Sequence, residues 1–332
     1  MSENADIRPA TSRFRLPRID FSGGVGLLIL YGVMVFIISR LSPYFLGPRN
    51  LVNVPVSVAV IGMIAIFSTM LMISGGLDLS VGATTALVGV IAASLQGTLG
   101  VWGAAGLGLL VGVLVGLING LLVTRVGINP LITTLGMLSV VRGLAFVFSG
   151  GLSIAMLDKD FAQLGRGSIL GLPIIVVVVV IMFVAAALVM RFTTYGRAMY
   201  AIGGNSRASH LAGLPVKRYQ MTAYILSGLS AAIAGLFLTS RLGTAAPQAS
   251  TGLELKVVAA IILGGTSLAG GKGSLFSTLL GVLILGTLDN AMTLLSISSY
   301  YQQIALGVIL LLAVGLDQLR VGNLSRLLRS RY

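Results

Sequence analysis

The chain has 332 residues, of which 56% are hydrophobic and only 9% charged, and its formal net charge is +13. A soluble domain carries roughly 25% charged residues, so this composition excludes a water-covered globule and specifies an integral membrane protein. The absence of cysteine excludes disulfides, thiolate metal sites and cysteine nucleophiles, and no basic stripe with interleaved aromatics points to nucleic acid.

Taken in chain order, the first apolar run, Val25 to Ile38, is followed by Ser39-Arg40 rather than a small-residue cleavage motif, and reads as a retained span. Hydropathy predicts ten spans, near 24–41, 55–74, 80–97, 101–123, 129–149, 171–190, 219–240, 255–270, 275–294 and 299–317. The valine-rich run from Ile174 to Met182 favours a strand in water. In lipid only a helix or a closed barrel satisfies the backbone, so this run is predicted helical. Spans three and eight are short and glycine-interrupted, and are read as candidates for broken or re-entrant segments. The expected fold is all-α and polytopic, with one membrane domain over 24–318 and basic tails at 1–23 and 319–332.

Orientation follows from where the basic residues fall. With both tails cytoplasmic, that side receives Arg8, Arg13, Arg15, Arg18, Arg125, Arg191, Arg197, Arg207, Lys217, Arg218, Lys272, Arg320, Arg326, Arg329 and Arg331, most of the 22 lysines and arginines. Cytoplasmic loops of membrane proteins carry such an excess, so an even-numbered, tails-in topology is expected.

Polar groups at membrane depth are costly and point to function by default. Asp78 and Ser80 follow a Gly-Gly break; they either line a translocation path or cap the next helix. Asn119, Asn290 and its neighbour Asp289 interrupt apolar helices, either facing a polar cavity or bonding helix to helix. Arg142 also falls within a span, without a partner the sequence identifies. Two segments echo each other: Ile73-Ser-Gly-Gly-Leu-Asp-Leu-Ser-Val-Gly82 and Leu263-Gly-Gly-Thr-Ser-Leu-Ala-Gly-Gly-Lys-Gly273. Interrupted segments in corresponding halves mark substrate paths in transporters, and equally glycine is abundant in packed membrane helices. The path candidates are Asp78, Ser80, Asn119, Thr266 and Asn290.

Gly270-Gly-Lys-Gly273 fails as a phosphate loop, because Thr266 stands where the first glycine belongs and Gly273 follows the lysine. Nucleotide chemistry is therefore expected in trans. His210 has no second histidine for a metal pair, and no nucleophile has an acid or base partner, so no catalytic or metal site is expected. The polar, basic loop 191–218 stands out against its greasy surroundings. Asn205 suits a helix N-cap, Ser206 to Ala212 is short and amphipathic, and Gly213 with Pro215 stops it. Such a helix either lies on lipid or docks in a groove on a partner.

Several segments resemble one family. Gly75 to Gly82, Thr134 to Met137 with Arg142-Gly143, Gly196-Arg197 with Ala201 to Asn205, and Leu211 to Gly213 are similar to the permease subunit of ATP-binding-cassette importers of the ribose, arabinose and xylose type. The match continues through Gly252 to Leu255, Gly264 to Gly273 and Ser298 to Gln302, the last two being most like the ribose branch. The resemblance implies a bacterial inner-membrane protein and monosaccharide import, with a branched-chain amino-acid or furanose permease, or an ATP-independent facilitator, as the alternatives. It implies a second permease chain, a cytoplasmic ATPase that binds ATP and magnesium, and a periplasmic sugar-binding protein. It assigns Gly204, Asn205, Ser206, Arg207, His210, Leu211 and Gly213 to ATPase coupling. Asp289 departs from the asparagine expected at its position.

Overall fold

The computed structural model describes residues 24–156 and 158–320. The tails at 1–23 and 321–332, with most of their expected basic residues, lie outside the described residues.

The fold is a bundle of apolar helices. α1 (Gly24–Leu41) lies at the edge, and α2 (Pro48–Ile73) is the buried central helix. α3 (Val81–Leu121) leaves helical geometry at Gly100, where φ is +69° and ψ is 160°. The chain folds back there, because Asn119 near its end bonds Ser80 at its start. α3 therefore comprises two limbs, 81–99 and 101–121, and continues into a π-helical turn, Leu122–Val126. α4 (Pro130–Ser149), capped by Asn129, leads to a hydrophilic crossing with the short α5 (Lys159–Arg166). α6 (Ile174–Phe192) is the valine-rich helix, followed by α7 (Thr194–Gly204) and α8 (Ser206–Leu211). α9 (Val216–Leu242), α10 (Leu253–Leu263), α11 (Leu275–Leu294) and α12 (Ser299–Arg320) complete the chain.

Among the described residues seven helices are long and apolar enough to cross a membrane. Counting the limbs of α3 separately, and adding the shorter α10 and the apolar part of α12, recovers the ten expected segments. Among the described residues, strand content is limited to two-residue pairs, β1 (Ile154–Ala155) with β4 (Thr244–Ala245) and β2 (Ser168–Ile169) with β3 (Leu172–Pro173). Large apolar side chains such as Phe36, Val147, Ile181 and Leu311 stand exposed on the bundle, as a lipid-facing surface requires.

Span eight is broken as expected: its helix stops at Leu263, and 264–274 is irregular. Span three is not broken. Its glycines admit neighbours instead; a Cβ on Gly89 would strike Thr239 and one on Gly82 would strike Ser250 and Glu254. The same logic governs the second limb of α3, where Gly108, Gly112, Gly116 and Gly120 recur every four residues along one face. Gly112 lies against Gly228 and Ala232 of α9, and Gly116 against the backbone of Tyr224 and Ile225. Without a hydrophobic driving force between helices in lipid, close backbone approach supplies the packing.

The bundle has two distinct ends. At one, α5 is tied to the end of α9: Ser240 Oγ donates to Phe161 O at 2.6 Å and accepts from Gly165 N at 2.8 Å. At the other end lie α7, α8, the π-helical turn, the end of α2 and the loop 264–274.

Candidate functional site

α2 ends at a turn made possible by Gly75, whose φ is +84°: Gly75 N donates to Met72 O and Gly76 N reaches back to Leu71 O at 3.0 Å. The chain then carries Asp78, 4% exposed, among the helices. Its Oδ1 accepts from Ser80 N at 2.9 Å and Ser80 Oγ at 2.6 Å, and its Oδ2 accepts from Ser227 Oγ of α9 at 2.9 Å. Asn119 Nδ2 donates to Ser80 Oγ at 2.9 Å. Three path candidates thus form one buried cluster. Asp78 does not cap a helical N–H of α3; it bonds Ser80, the residue just before that helix, and fastens α9 as well. Sequence reasoning missed Ser227, although Ser227 and Ser230 both interrupt an apolar helix.

The second glycine-rich segment ends α10 with the same bonds. Gly264 N donates to Ala260 O, Gly265 N to Ile262 O and Thr266 N to Ile261 O, and Gly265 again has φ +84°. The sequence echo is therefore a repeated helix-ending geometry, in which Thr266 occupies the place of Gly76. Thr266 is fully buried and its Oγ1 has no hydrogen-bond partner. It lies against Gly273 rather than beside Asp78.

A junction that sequence reasoning missed connects these two turns to α7. Gly271 N donates to Ile73 O at 2.8 Å, bridging the loop 264–274 to the end of α2. A Cβ on Gly203 would fall on both atoms of that bond. Gly270 lies against Gly75, and Gly271 against Gly204, so three chain segments meet backbone to backbone. Tyr200 OH, its ionisation pushed up by burial, stays protonated and donates to Gly273 O at 3.0 Å. The signal was the recurrence of Gly-Gly at 75–76, 203–204 and 270–271.

Asn290 lies elsewhere, toward the α5 end. It exchanges side-chain hydrogen bonds with Asn50 of α2, at 2.8 and 3.0 Å. Its neighbour Asp289 pairs with Lys256 of α10 at 2.6 Å, both side chains about one-third exposed at 33% and 35%. Arg142 donates to Pro247 O at 2.7 Å. The five path candidates therefore occupy three places.

α7 and α8 form a capped, projecting unit. Thr193 caps α7, and Asn205 Oδ1 accepts from Ala208 N at 2.9 Å to cap α8, as expected. Ala198, Met199, Ile202 and Ser209 face inward. Gly204, Asn205, Ser206, Arg207, His210, Leu211 and Gly213 are all exposed, Leu211 at 81%. Every residue assigned to coupling thus lies on one accessible element, joined to the membrane turns through Gly203.

Residues 50–314 match the family described as branched-chain amino acid transport system / permease component. The chain belongs to this permease family. It is 41% identical over 321 residues to the L-arabinose ABC transporter permease protein of Azospirillum brasilense, covering 96% of this chain and 94% of that one. It is 42% identical over 314 residues to the ribose import permease protein of Bacillus subtilis, covering 91% and 95% respectively. The L-arabinose transport system permease protein of Escherichia coli strain K12 is 39% identical over 315 residues, covering 93% and 96%. No solved structure matches the chain. As a member of the permease family, the bundle carries a solute route rather than a reaction centre.

Proposed function

We propose that this permease is the membrane subunit of an ATP-driven importer for a pentose, ribose or L-arabinose. The carrying observation is the near-full-length similarity to permeases named for those two sugars, at 39 to 42% identity. The family description names branched-chain amino acids, which is the second reading. Under the first, the α7–α8 end is cytoplasmic, in keeping with Arg125, Arg191, Arg197, Arg207, Lys217, Arg218 and Lys272 at that end. A separate ATPase, which binds the ATP and magnesium, docks on the exposed face of α8. A sugar-binding protein delivers cargo to the α5 end, and a second permease chain completes the route.

In this mechanism ATP-driven closure of the ATPase displaces α7–α8, and the glycine junction passes the movement to α2 and to the loop 264–274. Switching a two-state population from 1:99 to 99:1 requires about 5.5 kcal/mol of differential binding, which an ATPase dimer supplies and weak sugar binding does not. The test is uptake of labelled ribose, L-arabinose and leucine into proteoliposomes. Pentose uptake is expected only with the ATPase, ATP and binding protein present. Uptake by the permease alone would make it a facilitator, and leucine uptake would favour the second reading. Arg207→Glu should release the ATPase in a pull-down.

A further inference from the structure

At the α7–α8 end a groove of about 690 Å³ opens between the π-helical turn, α8 and the start of α9. Arg125, Arg207, His210, Lys217 and Arg218 line it, and no carboxylate does. Its floor is different in kind. Val123 and Thr124, in the turn that continues the membrane-spanning α3, and the buried Val216 form it. Beside Arg125 the chain continues into an apolar shoulder, with Val126 67% and Ile132 64% exposed.

We propose that this groove binds the phosphate headgroup of an anionic phospholipid, whose acyl chains run along the Val126–Ile132 shoulder. Charge complementarity selects an anion, since at least four fixed positive charges converge on one concavity. Depth selects a lipid over a soluble partner. The floor belongs to a membrane helix, and the exposed valine and isoleucine beside the groove suit acyl chains running next to the headgroup. Ser206, on the same wall, adds a hydroxyl donor for a phosphate oxygen. The π-helical turn matters here, because the extra residue it accommodates sets where Arg125 leaves the helix, at the mouth of the groove. The site is independent of which solute is carried. It shares Ser206, Arg207 and His210 with the face assigned to ATPase docking.

The experiment uses the full-length chain in phosphatidylcholine nanodiscs, with Val126→Trp as a reporter and Trp102→Phe to silence the tryptophan at the far end. Quenching is measured with brominated phosphatidylglycerol and with brominated phosphatidylcholine. Half-quenching is expected at a phosphatidylglycerol fraction at least roughly five-fold lower, the preference that even a single cation near the headgroup contributes. The triple variant Arg125→Gln, Lys217→Gln, Arg218→Gln should abolish that preference, whereas Lys159→Gln at the α5 end should leave it intact. High salt on the unsubstituted reporter chain should weaken the preference without any risk of misfolding. Equal quenching by the two lipids overturns the proposal. So does full relief of quenching by inorganic phosphate, which would mark a free-anion site. A triple variant that keeps the lipid preference but no longer captures the ATPase assigns the groove to ATPase docking and also overturns it. Failure of pentose transport with the lipid preference intact counts against the proposed function alone.

Discussion

The turns after α2 and α10 share a backbone geometry and differ in what holds them. At the first, Asp78 gathers Ser80 and Ser227, with Asn119 on Ser80, so side chains from α3 and α9 join the turn's own Ser80 in fixing it. At the second, Thr266 Oγ1 is buried without a partner, and the loop is held from outside: by the bond from Gly271 N to Ile73 O, by Tyr200 OH on Gly273 O, by Asp317 of α12, which accepts from Ser267 Oγ and Leu268 N, and by contact with Gly203 and Gly204. The Asp78 cluster resists opening, because breaking it strands buried donors at about 1–3 kcal/mol each, even though Asn119 Oδ1 is itself buried without a partner. A loop tied to α2, α7 and α12 at separate points is coupled to each of those segments. The pair teaches that one geometry is anchored by an internal polar cluster in one place and by bonds to neighbouring segments in the other.

The comparison breaks most visibly at Asp78. Asp78→Leu should lower stability by about 3 kcal/mol, since it strands the hydroxyls of Ser80 and Ser227 and frees Asn119, and thermal unfolding in detergent measures the loss. An unchanged midpoint would remove the anchor. Next in size is Gly203→Ala, which places a methyl on the Ile73–Gly271 bond. Pentose uptake should fall at least ten-fold, about 1.4 kcal/mol, while ATPase capture persists. Normal uptake would show that the junction transmits nothing. Thr266→Val sharpens the contrast: removing an unpaired buried hydroxyl without changing shape should leave stability within about 1 kcal/mol or raise it. A selective loss of uptake in that variant would place Thr266 on the solute route. The smallest effect is expected at Lys256 and Asp289, whose one-third-exposed pair should show a coupling of about 0.5 kcal/mol in a double-mutant cycle.

Much of this was legible in advance. The apolar runs located the helices, because lipid leaves the backbone no other solution. Asn205, Gly213 and Pro215 delimited α8 through local capping chemistry. Asp78, Ser80 and Asn119 were singled out individually because polar groups at depth are costly. Their convergence was not readable, since it depends on the fold-back at Gly100 bringing positions 39 residues apart into contact. Span three was misjudged for a related reason: glycine that admits a neighbouring helix and glycine that ends a helix look alike until the neighbour is in place. The Gly203 junction, joining residues far apart in sequence, left only repeated Gly-Gly pairs as a trace.

The four-residue glycine ladder on α3 has a mechanical consequence. Where Gly112 and Gly116 seat directly on the main chain of α9, no intervening layer of rotatable groups can shear or re-mesh. These two helices therefore travel as a single welded beam. Any alternation between open faces must be accommodated at looser seams, which directs a search for hinges away from the best-packed pair in the molecule.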